Sequence, residues 1–93
     1  MASYTDKIIT NDTWVDIYAA VGLATTSELY IQNKSQASLL YYEDIAAPAN
    51  NTVNGFLIFG NMEKKIVIKP QTGMKVYLKC NDKTATIALM SGQ

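Results

Sequence analysis

Ninety-three residues make one domain with a thin core, since a chain of this size buries only about 60–65% of its unfolded surface. A single cysteine excludes an internal disulfide, and without histidine or a second cysteine a zinc-type metal site is not expected. All eight basic residues are lysine, balanced by eight carboxylates to a net charge of zero, so the arginine fork that reads bases and phosphates bidentately is missing.

The opening "MASYTDKIIT" lacks the basic start and continuous apolar run of a signal peptide. No stretch approaches the roughly 20 apolar residues of a membrane helix. With Cys80 the lone thiol, the expectation is synthesis in a reducing cytosol. Asn11, Asn33 and Asn50 head N-x-Ser/Thr triplets, which are expected to stay unmodified there.

"NDTWVDIYAAVGLA" reads in two ways. Trp14, Ile17, Tyr18 and Val21 fit a helical stripe, with Asp12 as N-cap and Gly22 as stop. The same residues also alternate as a strand, with Trp14 and Tyr18 on one face and Ile17 on the other. β-Branched and aromatic residues are weak helix formers, and "TNDT" resembles a turn between strands "DKIIT" and "TWVDIYA", so the strand is preferred.

From Ser27 onward alternation is clear. "ELYIQN" sets Leu29 and Ile31 opposite Tyr30 and Gln32. After the turn "NKSQ", "SLLYYED" sets Leu39 and Tyr41 opposite Leu40 and Tyr42. The longest loop follows, "IAAPANNTVNG". "FLIFG" is a continuous apolar run suited to a buried strand, and "KIVIKP" is a strand ended by Pro70. "MKVYLKC" sends Met74, Val76, Leu78 and Cys80 inward and Lys75, Tyr77 and Lys79 outward. With "TATIALM" across "NDK" it reads as a hairpin. Cys80 falls in step with the inward set, as a small core residue. The whole, residues 1–93, is expected to be a single all-β domain, a small β-sandwich or jelly-roll-like barrel of about seven to eight short antiparallel strands.

Motifs for chemistry are missing. There is no phosphate loop, nucleophile elbow or metalloprotease motif. Glu43 and Asp44 are adjacent, so a strand points them to opposite faces. Asp12 and Asp16 lack the calcium-loop spacing. The expectation is a non-enzyme without cofactor or metal. Six tyrosines and one tryptophan offer a different function, since such rings suit protein interfaces or sugars. Trp14, Tyr18, Tyr30, Tyr41, Tyr42 and Tyr77 are the candidate interface residues. The long loop is a candidate contact loop through Pro48, Asn50, Asn51 and Asn54. Residues 1–46 hold two lysines against six carboxylates (−4), and residues 47–93 hold six lysines against two (+4). This split reads as solubilising lysines on exposed strands, or as complementary surfaces meeting across a subunit contact. Neither nucleic acid nor a membrane is expected as a partner.

The run "IITNDTWVDIYAAVGLATTSELYIQNKSQASLLYY" and the closing "GFLIF" and "TGMKVYLKCNDKTATIAL" resemble the small β-sandwich structural proteins of tailed bacteriophages and prophages. The shared order is a Trp strand, a Gly turn, a strand ending "IQN", a small polar turn and another apolar strand. The likeness spans most of the chain, on motifs of low specificity. It implies a non-enzymatic virion protein made in the host bacterial cytoplasm. Capsid decoration and tail or adaptor accessory roles both fit, with other virion proteins as partners and a homo-oligomer, trimeric by preference. No site residues carry over. A carbohydrate-binding module using the surface tyrosines is the alternative.

Overall fold

A computed structural model describes residues 3–25, 27–49, 55–58, 60 and 66–91. Among them are eight strands and one short helix: β1 (Lys7–Thr10), β2 (Val15–Asp16), α1 (Ile17–Val21), β3 (Leu29–Asn33), β4 (Leu39–Asp44), β5 (Phe56–Ile58), β6 (Ile66–Ile68), β7 (Lys75–Cys80) and β8 (Thr84–Ser91). They form two four-stranded antiparallel sheets, β1-β8-β3-β6 and β2-β7-β4-β5, called the first and second sheet below.

The pairings β1–β8, β2–β7, β3–β6 and β4–β5 are those of one long hairpin, folded at the loop after β4 and then rolled up. This is the jelly-roll order, so the expected fold class is the one observed. Rolling moves every short connection from one layer to the other. "MKVYLKC" and "TATIALM" are therefore not a hairpin: β7 pairs with β2 and β4, while β8 pairs with β1 and β3. Alternation tells which side chains turn inward, but not which strand lies beside which. Here the inner sets Val76, Leu78, Cys80 and Ala85, Ile87, Leu89 belong to facing sheets and close one core.

The same roll interleaves the two halves of the sequence. Every strand of the first half that pairs at all pairs with a strand of the second. Asp44 lies opposite Lys75, and the Glu43 carboxylate accepts the Gln71 N–H at 3.2 Å. Among the described residues the −4 and +4 halves thus mix within the fold.

The stretch around Trp14 is both of the alternatives, each cut short. Val15–Asp16 is strand, and Ile17–Val21 is a single helical turn. Asp16, not Asp12, is the N-cap, accepting the Ala19 N–H at 3.2 Å. Gly22 closes the turn at φ 69°, with its N–H on Ala19 O and the Leu23 N–H on Tyr18 O, a Schellman stop. The step per residue falls from 180° to about 100° at this switch, so Ile17 and Tyr18 both enter the core. Trp14 and Tyr18 consequently do not share a face.

The "NKSQ" turn does bond itself as its chemistry suggests. The buried Asn33 amide donates to Ala37 O at 2.8 Å and its oxygen accepts from the Ser35 hydroxyl at 2.9 Å. Ser35 Oγ in turn accepts the Thr86 N–H at 3.3 Å, tying the turn to β8.

Candidate association surface

The predicted aromatic set separates into three places. Tyr18 and Tyr41 turn inward. The Tyr18 hydroxyl donates between two carbonyl oxygens, Ser27 at 2.8 Å and Ile68 at 3.2 Å, and so clamps α1 to the segment leading into β3 and to β6. Burial, then the charges of Glu43 and Glu28, push its pKa up to about 12. Tyr41 is half-buried beside the core and donates to Glu43 Oε1 at 3.2 Å. Burial, then the Glu43 charge and this hydrogen bond, raise its pKa well above the ordinary value.

Trp14, Tyr77 and Tyr42 gather with Leu40 on the outer face of the second sheet. The Trp14 and Tyr42 rings are 5.7 Å apart and inclined at 60°. Lys79 lies on this face as expected, yet it is buried: its aliphatic stem is covered and its ammonium stands 5.9 Å from the Trp14 ring. Tyr77 is buried as well, and burial, then the Asp16 and Asp44 charges, raise its pKa. Trp14 retains only 7% exposure, and its buried Nε1–H finds no acceptor among the described residues. This cluster is a second, smaller core, so Trp14 and Tyr77 are packing residues more than contact residues.

Tyr30 stands apart, half-buried on the outer face of the first sheet opposite Val67 and Met90. Of the candidate contact loop, Pro48 is half-buried, while Asn50, Asn51 and Asn54 lie outside the described residues. The loop's end is fixed by Gly55 at φ 127°, where a Cβ would stand 2.5 Å from Tyr41 O.

The exposed apolar side chains are different residues from those the sequence suggested. "FLIFG" was expected to be buried on both sides, but β5 is a sheet edge, with β4 its neighbour on one flank. Phe56 is 77% exposed and Leu57 48%; on β6, the edge strand of the other sheet, Val67 is 57% exposed. Between the two edges an open cleft of about 350 Å³ is lined by Tyr41, Phe56, Ile58, the three residues of β6 and Lys69. A short apolar run signals burial only if both faces are covered, and among the described residues the sandwich stays open at this side. The nearest sequence signal was brevity, since "FLI" between glycines is too short to be a central strand. Ile8 on β1 and Ile45 after β4 are the other exposed large apolar residues among those described.

Among the described residues no group of three or more acidic, cysteine or histidine side chains is placed to hold a metal. No helix among them is long and apolar enough to cross a membrane. Comparison with protein-family models, curated proteins and solved structures finds no match to this chain.

Proposed function

We propose that this chain is a non-enzymatic structural subunit of a bacteriophage virion, a capsid decoration or tail accessory protein that works by associating with other virion proteins and with itself. The observation that carries the association is the apolar cleft between the β5 and β6 edges, bordered by the exposed Phe56 and Val67, with Leu57 exposed on the outer face of β5. Small domains rarely leave a strand edge both apolar and uncharged unless something covers it. The jelly-roll order adds support by analogy of fold, because it recurs in viral capsid domains, although it recurs in lectins too. The virion assignment itself rests on the sequence resemblance. On this reading the protein is made in the host bacterial cytoplasm and resides in the particle.

The sugar-binding alternative draws no support from the rings. Trp14 and Tyr77 are buried, and the Trp14–Tyr42 pair is inclined, not a flat exposed platform.

The test is compositional. Phage particles purified from lysates of cells carrying this gene should contain the chain in a fixed ratio to the major capsid or tail protein. A chain abundant in the lysate and absent from banded particles overturns the assignment.

A further inference from the structure

We infer that strand β5 is the self-association edge of this protein, and that its occupant is β5 of a second copy, paired antiparallel about a twofold axis at Leu57. The inference rests on the reading of the chain as an associating subunit and names the surface and partner.

The four sheet edges differ in how they are protected. β1 carries Lys7, and β2 is two residues long and turns into α1 at Asp16. β6 is followed at once by Lys69. β5 has neither charge nor proline, and its first two side chains are exposed. Such an edge is a template for another strand.

The register selects a second copy as that strand. Phe56 and Ile58 face inward, as their partners Tyr41 and Leu39 do, while Leu57 faces outward beside Leu40. An antiparallel pair centred on Leu57 sets Phe56 of each copy opposite Ile58 of the other. Each exposed Phe56 ring is then brought over the other copy's open cleft, of which Ile58 is a wall. Two Leu57 side chains meet on the outer face. No charged residue lies on the paired strands and each copy has zero net charge; one charged residue, Lys69, lines each cleft.

A three-residue strand offers far less than the roughly 800 Å² per partner of a stable complex, so this dimer is weak on its own. Pairing β5 with itself closes at two copies, instead of the three that the resemblance implies.

Analytical ultracentrifugation from about 10 μM to 1 mM tests this, the span in which weak contacts form. The average mass should climb from 10.2 kDa towards twice that value. Leu57→Lys, which places two ammonium groups at the axis, should shift the midpoint at least tenfold in concentration. Because Leu57 is half exposed, the variant is expected to fold, which its unchanged circular dichroism will verify. Leu57→Cys should give a disulfide-linked dimer under mild oxidation, while Ile8→Cys on the β1 edge should not. A chain monomeric throughout, an oligomer indifferent to Leu57→Lys, or equal cross-linking from Ile8→Cys overturns the inference. None of these results bears on the particle composition, which judges the virion assignment separately.

Discussion

Tyr18→Phe removes one oxygen atom from the core and leaves every apolar contact of the ring in place. That oxygen sits between the Ser27 and Ile68 carbonyls, in a region closed to water. A buried hydroxyl lost from acceptors that stay behind costs about 1–3 kcal/mol, and the two-carbonyl clamp argues for about 2 kcal/mol. In a domain of this size that lowers Tm by about 8–16 °C. A second signature is alkaline. The folded chain holds the Tyr18 proton more tightly than the unfolded one, since the pKa rises from 10.0 to about 12. The stabilisation is therefore complete below pH 10 and disappears as pH rises through 10 to about 12, up to roughly 3 kcal/mol at 1.36 kcal/mol per unit. Tyr41 and Tyr77 are shifted in the same direction, so Tyr18→Phe should weaken the alkaline loss without abolishing it. Thermal melts at pH 7 and urea melts between pH 9 and 11.5 provide the assay, with Tyr42→Phe as control. A Tm change at neutral pH no larger than the control's, or an alkaline slope unchanged from wild type, refutes the clamp.

Trp14→Phe should cost no more than about 1–2 kcal/mol in thermal melts, because deleting a buried donor that has no acceptor offsets part of the packing lost with the smaller ring, whereas Trp14→Ala should cost about 3–5 kcal/mol. A Trp14→Phe loss as large as that of Trp14→Ala would contradict the offset. Gly55→Ala should destabilise by at least about 2 kcal/mol, combining φ 127° with a Cβ held 2.5 Å from Tyr41 O. Gly73→Ala, at φ 86° with nothing within 4 Å of its Cβ, should cost only about 1 kcal/mol. Equal effects at the two glycines would remove the argument from close approach.

The sequence declared its sandwich through alternation, and that signal is local. Leu29, Ile31, Leu39, Val76, Leu78, Ala85, Ile87 and Leu89 all turn inward where a period of two puts them. Topology is not local, so "NDK" looked like a hairpin turn when it in fact carries the chain between layers. The Trp14 region was ambiguous because it changes period in mid-stretch, at a cap that only Asp16 and Gly22 together define. The association surface was least legible. The rings of Trp14, Tyr18 and Tyr77 are buried, and the exposed large apolar residues among those described are Ile8, Ile45, Phe56, Leu57 and Val67. Burial of the outer face depends on neighbours from β4, β7 and the residue before β2, and a short apolar run reads the same whether its second side is covered or open.

Hydrogen–deuterium exchange followed against protein concentration is the most direct measure of what covers the open edge. If β5 joins a second copy, amides within Phe56–Ile58 gain protection as concentration rises, while those of the β1 edge, Lys7–Thr10, keep one rate throughout. Exchange at β5 that stays fast and constant while the particle mass increases would contradict the account.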